Sequence, residues 1–188
     1  MNYYQNSLNV KSYYEMLKEF DNSVYINILR MYIDEGSTIL ELGSGTGADL
    51  DILSKHYNII GSDNSEAFKS LYEQISGHNE FLILDATSFE IEQKFDVIIS
   101  NKVMIHFDKE AIRSSLLSQH KHLKDEGILV HSFWYGDKVE EFDGLVFNYY
   151  NKENLTKLFC EQFDVLTIDY YTEADENDSV YVVARKKQ

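Results

Sequence analysis

Residues 39–47 read Ile-Leu-Glu-Leu-Gly-Ser-Gly-Thr-Gly. A short apolar run carries one acid, Glu41, and then breaks into three alternating glycines, Gly43, Gly45 and Gly47. A helical pattern begins at Ala48. This order predicts a strand, a tight turn and a helix N-terminus. Glycine lets the main chain turn sharply, and it lets a ligand rest against backbone N–H groups with no Cβ in the way.

Downstream of the turn the pattern alternates. Strands are expected over 38–42, 58–62, 81–84, 95–100 and 128–133. Helices are expected over 48–56, 65–76 (capped by Ser65) and 108–123 (capped by Asp108). The strands are apolar throughout, which argues for a parallel sheet covered on both faces. The C-terminal part differs. A helix over 151–161 precedes two strands, 163–171 and 179–185, joined by Glu-Ala-Asp-Glu-Asn-Asp. A link that short suits an antiparallel hairpin rather than a crossover. The fold class is therefore α/β: a doubly wound, mostly parallel seven-stranded sheet with helices on both faces and a C-terminal antiparallel hairpin.

Upstream, Leu8, Tyr13, Met16, Leu17 and Phe20 recur at helical spacing, and Val24, Ile28, Met31 and Tyr32 repeat the pattern after Asp21-Asn22-Ser23. Gly36 is a candidate C-cap. With no internal repeat and no linker, residues 1–188 read as a single domain: 1–34 is a helical N-terminal extension or lid, and 35–188 is the core.

In such sheets ligands bind beyond the carboxyl ends of the strands, and Glu41, Asp63 and Asp85 fall at or just after those ends. Asp63 follows the glycine turn at about the 20-residue spacing of an acid that accepts from ribose hydroxyls. The pair implies a nucleoside-containing cofactor. A nicotinamide dinucleotide tolerates these glycines, so they do not choose the ligand alone. Glu41 counts against it, because a carboxylate just before the loop repels a pyrophosphate. It suits a ligand bearing an ammonium and a sulfonium.

From Thr38 to Arg185 the chain resembles the class I S-adenosylmethionine-dependent methyltransferases. Residues 39–47 look like the family's first motif. Ile-Ile-Gly-Ser-Asp-Asn-Ser (59–65) looks like its second, Leu-Ile-Leu-Asp-Ala (82–86) its third, and the stretch from Phe95 to Phe107 its fourth. Glu41, where many members have Asp, and Ser62 before Asp63 are small departures. The resemblance implies S-adenosyl-L-methionine as cofactor. It passes the loop of Gly43, Ser44 and Gly45 beneath the methionyl part, with Glu41 ordering that end. It gives Asp63 the ribose, Asn64 the adenosine, Asp85 and Ala86 the flanks of the adenine, and Asn101 the methionyl and substrate end.

Chemically, such an enzyme aligns a nucleophile with the methyl group, and needs a general base only if the acceptor must lose a proton. His106, after the fourth strand, is the candidate base; packing or exposure in its loop is the competing role. His131, inside a strand, reads as a satisfied core histidine, and Cys160 as a core thiol. Tyr13, Tyr14, Trp134, Tyr135, Tyr149 and Tyr150 are candidate pocket walls, each better read singly as core. The run 173–178 reads as a solvated turn. His120 and His122 lack the spacing of a metal pair, so no metal site is expected.

The remaining composition narrows partners. Seventeen Lys and Arg against 32 Asp and Glu give a formal net charge of −15, a poor basis for gripping nucleic acid phosphates. There is no proline, so neither the Asn-Pro-Pro-Tyr signature of one large group of amino-methylating DNA and protein enzymes nor the Pro-Cys nucleophile of cytosine-C5 enzymes is present. One cysteine cannot hold an iron–sulfur cluster. No run approaches the roughly 20 apolar residues of a membrane span, and no signal peptide is expected. A single thiol suits a reducing, cytoplasmic location. The expected function is methyl transfer to O, N or S of a small molecule. The alternatives are a non-catalytic cofactor-binding regulator, a protein or RNA methyltransferase, and an NAD-dependent oxidoreductase.

Overall fold

The computed structural model describes residues 3–18 and 20–188. Helices α1 (Ser7–Leu17) and α2 (Ser23–Tyr32) precede the alternating region. There β1 (Thr38–Leu42), α3 (Ala48–Leu53), β2 (Asn58–Asp63), α4 (Glu66–Ile75), β3 (Phe81–Ile83), β4 (Phe95–Asn101), α5 (Lys109–His122) and β5 (Leu123–Trp134) follow. The chain then forms β6 (Val139–Phe142), β7 (Leu145–Asn148), α6 (Lys152–Phe159), β8 (Phe163–Tyr171) and β9 (Ser179–Lys186). The seven-stranded sheet has the order β3-β2-β1-β4-β5-β9-β8, with β6 and β7 apart as a two-stranded ribbon.

Pairing is parallel from β3 to β5, and antiparallel where β9 meets β5 and β8. Successive side chains of a strand point to opposite faces. Leu40, Leu42 and Ile98 accordingly join one core layer with α5 and α6. Ile39, Val97 and Ile99 join the other with α2, α3 and Tyr72 of α4. Two covered faces explain why the central strands carry no polar alternation.

Several local expectations change. Helix α3 stops at Leu53, three residues short of the predicted end, and Gly36 lies in the turn beyond α2, whose C-cap is Ile33. Cys160 is exposed just past α6 rather than in the core, because α6 turns only its Leu155, Leu158 and Phe159 inward. His131 is fully buried, with its Nδ1 at 2.8 Å from Ser100 Oγ and its Nε2 at 2.8 Å from Gln119 Oε1. Ribbon β6–β7 has no counterpart among the expected elements.

Candidate active site

The glycine turn crosses from β1 to α3 at the carboxyl edge of the sheet. Gly43, Gly45 and Gly47 all have left-handed φ angles, of 70°, 53° and 78°, where side chains carry steric cost. At Gly47 a Cβ would also overlap the ring of Tyr72. At Gly45 nothing lies nearer than Phe68, 3.9 Å from an ideal Cβ, so its main chain borders open space. The turn is stapled to the tip of β2: Ser44 N donates to Ser62 O at 2.7 Å, and Ser62 N donates to Ser44 Oγ at 3.0 Å.

Asp63 ends β2 beside that turn. Its Oδ2 accepts from Gly45 N at 3.1 Å and its Oδ1 from Ser65 N at 2.9 Å. Burial pushes its pKa up to about 6, against the pull of those N–H donors. Glu41 lies beneath the turn at 3% exposure, on the same face of β1 as Ile39. Ser44 Oγ donates to its Oε2 at 2.8 Å. Burial, then the nearby Asp49 carboxylate, raises its pKa to about 8. No salt bridge reaches Glu41 among the described residues, so its ionised form is costly as the protein stands.

Asp49, in the first turn of α3, is buried too. Its two oxygens accept from Asn22 Nδ2 at 2.7 Å and Asn101 Nδ2 at 3.1 Å. Asn101 Oδ1 accepts from Ser132 Oγ at 2.6 Å. This chain of bonds fixes Asn101 at the end of β4. Lys102 then takes a left-handed φ of 56° and carries its side chain to the terminal hairpin. Its Nζ meets Ser179 Oγ at 2.7 Å, Tyr171 OH at 3.1 Å and Glu173 at 3.1 Å, and lies 4.0 Å from the centre of the Trp134 ring. Glu173 is only 7% exposed there, so the acidic run is not wholly a solvated turn.

His106 sits at the end of a short 3-10 turn, Met104–His106, anchored by buried Met104 and Ile105. Ribbon β6–β7 holds it from the other side. His106 Nδ1 is 2.8 Å from Val146 O, and a carbonyl can only accept, so Nδ1 carries the proton and Nε2 keeps a free lone pair in the neutral ring. Phe147 packs edge-on at 4.8 Å, and Asn148 Nδ2 donates to Ile105 O and Phe107 O at 2.8 and 3.1 Å. Burial lowers the His106 pKa from 6.5, so the ring is neutral at pH 7.

These parts border one cleft of about 360 Å³, within the size range of small-molecule sites. Of the residues expected from sequence, it gathers Gly43, Gly45, Asp63, Asn64, Ala86, Asn101 and His106. Glu41 and Ser44 lie below the floor. Asp85 is exposed, its Oδ1 accepting from Thr87 N and Oγ1 at 2.9 and 2.8 Å. Tyr13 borders the cleft; Tyr14, Trp134, Tyr135, Tyr149 and Tyr150 do not. Sequence reasoning missed Tyr4 and Phe68, whose rings pack at a tilt with centres 5.5 Å apart, and the ribbon residues Leu145 and Val146. The ribbon had a signal. Asp143-Gly144 has positive φ at both residues, 52° and 76°, between paired Phe142 and Leu145, the geometry for which Asp-Gly is favoured in two-residue hairpins.

The cleft fits an adenosyl sulfonium. Open main chain at Gly45 offers a floor, Asp63 offers an acceptor at its edge, and Leu84, Ala86 and Phe68 offer an apolar slot. The unpaired acid beneath the turn favours a positive ligand over a pyrophosphate.

Comparison with known proteins agrees. Residues 39–127 match the methyltransferase domain family. No curated protein matches the chain by sequence. Among solved structures, the glycopeptide N-methyltransferase MtfA complexed with S-adenosyl-L-methionine is 14% identical over 89% of this chain and 88% of its own, with a TM-score of 0.78. The N-methyltransferase NodS from Bradyrhizobium japonicum WM9, complexed with S-adenosyl-L-homocysteine, is 17% identical over 92% and 91%, with a TM-score of 0.73. The 1,6-didemethyltoxoflavin-N1-methyltransferase of Burkholderia thailandensis is 16% identical over 97% and 87%, with a TM-score of 0.76. Residues 39–127 thus match a methyltransferase domain, and the chain has the fold of solved S-adenosylmethionine-dependent methyltransferases.

Proposed function

We propose that the cleft binds S-adenosyl-L-methionine and that the enzyme methylates an O, N or S atom of a small molecule. In this reading Gly43, Ser44 and Gly45 underlie the methionyl part, and Glu41 orders its charged end through the turn. Asp63 accepts from the ribose, Asn64 approaches the adenosine, and Ala86 flanks the adenine. Asp85 holds Thr87 through Oδ1 and flanks the adenine with Oδ2. Asn101 faces the methionyl and acceptor end. When bound, the cofactor supplies a methyl group on a positive sulfur, whose S–C bond breaks as the acceptor's lone pair takes the methyl and a neutral thioether leaves.

The chain's own residues do the rest. His106 presents Nε2 as a base, held in that tautomer by the Val146 carbonyl, and takes the proton from an acceptor that must lose one. The segment of Tyr4 and α1 serves as a lid on the core domain. Tyr4 packs against Phe68, Tyr13 and His106, and Gln5 Nε2 donates to Asn64 O at 2.8 Å. Excluding water strengthens every polar contact inside. The acidic surface disfavours nucleic acid as acceptor, and the exposed lone thiol suits the cytoplasm, testable by cell fractionation.

The observation that carries this reading is the meeting, in one cleft, of the glycine turn, Asp63 and His106. Calorimetry with S-adenosylhomocysteine and with NAD tests the cofactor; binding of the first and not the second is expected, and the reverse rejects the reading. Labelled methyl transfer into fractions of a cell extract tests the acceptor. Label is expected among small molecules, and label in protein or RNA would reassign the substrate.

A further inference from the structure

The cleft has two ends built differently. One is the glycine turn with Asp63, Asn64 and Ala86. The other is the turn after β4, from Val103 to Phe107, faced by Gly144, Leu145 and Val146 of the ribbon and by Tyr4. We infer that this second end takes an uncharged, ring-bearing acceptor that offers an N–H or O–H to His106 and lies against Leu145, Val146 and Phe107. The inference rests on the methyltransferase reading and narrows its substrate class.

Charge carries the argument. Among the described residues the cleft has a single neighbouring lysine, Lys102. Its ammonium is bound by Ser179, Tyr171 and Glu173 and sits against Trp134, and none of those partners borders the cleft. An acceptor carrying a carboxylate or phosphate would shed its hydration here with no cation to replace it, and would meet the acidic field of the site. A protonated amine fares no better. The carboxylate on the wall, Asp63, stands at the opposite end and is engaged by two backbone N–H groups, and an ammonium has no lone pair to attack with.

Shape and hydrogen bonding agree. Val103, Phe107, Leu145 and Val146 give apolar walls, and Tyr4 adds a ring 6.0 Å from that of His106. Because Nδ1 is committed to Val146 O, the free nitrogen of His106 is an acceptor, which selects a partner that donates. Discrimination by such a polar contact is strong, because a ligand lacking the donor covers that nitrogen and leaves it unpaired. The ribbon sets both features at once: its backbone fixes the tautomer and its side chains form the wall.

Ligand-observed NMR on the protein saturated with S-adenosylhomocysteine tests this, with probes sharing one phenyl ring but differing in charge: phenol and aniline against benzoate, phenyl phosphate and benzylammonium. The neutral probes are expected to bind at least tenfold more tightly than the charged ones. Leu145→Ala should weaken the neutral probes about 5–10-fold, the loss of part of an apolar wall, and Leu145→Lys should let benzoate bind. Benzoate or phenyl phosphate binding the unaltered protein as tightly as phenol overturns the inference, as does the absence of neutral-probe binding. If S-adenosylhomocysteine itself fails to bind, the methyltransferase reading falls and takes this inference with it; if it binds and the neutral probes do not, only the acceptor class is wrong.

Discussion

The two ends of the cleft share a wall but not an origin. The cofactor end comes mainly from one stretch of chain, residues 39–65, whose turn, strand tips and helix caps are bonded to one another. The acceptor end is assembled from Tyr4, the turn after β4 and a ribbon some 40 residues further on, joined by contacts such as His106 to Val146. Main-chain geometry makes the first, and side chains brought together by folding make the second. In the proposed function the first holds the cofactor and the second chooses the acceptor.

Substitutions can break this contrast, and the largest effect is expected in the turn. Gly47→Val imposes a branched side chain on a left-handed residue and drives it into Tyr72. Strain and overpacking together should cost about 2–6 kcal/mol, visible as a lower urea midpoint or loss of soluble protein. An unchanged midpoint would mean the turn is not the rigid element described. At the acceptor end the expected loss is chemical. His106→Gln keeps a donor for Val146 O but supplies no base, so kcat should fall about 10²–10⁴-fold for an acceptor that must lose its proton. S-adenosylhomocysteine affinity should hold. In the unaltered enzyme kcat should rise with pH through a value below 6.5 and level off by neutrality, because burial lowers that pKa. A variant as active as the parent would return His106 to a packing role.

Two changes sharpen the cofactor end. Glu41 has a folded pKa of about 8 against an ordinary 4.5. A carboxyl with a raised pKa favours folding below its unfolded value, and that advantage is lost as pH rises from about 4.5 to 8. Glu41→Gln should therefore stabilise the ligand-free protein at pH 8, by roughly 1–3 kcal/mol. A positive cofactor prefers the ionised acid, so S-adenosylmethionine should bind the unaltered protein more tightly as pH rises to about 8. The Gln variant should bind it more weakly and lose that pH dependence. Parallel pH curves for the two proteins would remove Glu41 from cofactor binding. Asp63→Ala should weaken S-adenosylhomocysteine by about 1–3 kcal/mol, the cost of a lost hydrogen bond to a carboxylate; unchanged calorimetric affinity would reject the ribose assignment.

Legibility followed the same division. Ser65, Asp108 and Asn151 cap the helices expected after them because a cap is a local bond. The strand over 128–133 grew to β5 because its start pairs with β4 at Leu123, a partner distant in sequence. Cys160 and Glu173 exchanged their expected places, one outward and one inward. Burial at a helix end or in a turn depends on what packs there, and for Glu173 that is Lys102, 71 residues away. Ribbon β6–β7 escaped notice because its four-residue strands are largely exposed and carry little alternation.

The amino-acid order alone determined the alternation of strands and helices, the left-handed turn at the first crossover and the acids at the strand tips, since each follows from backbone sterics and from periodicity within a few residues. Tertiary structure alone decided which histidine nitrogen is free, that the Lys102 ammonium is engaged by the terminal hairpin, and which residues face His106. Those outcomes depend on hydrogen bonds and burial between segments tens of residues apart, and no local rule of the chain specifies them.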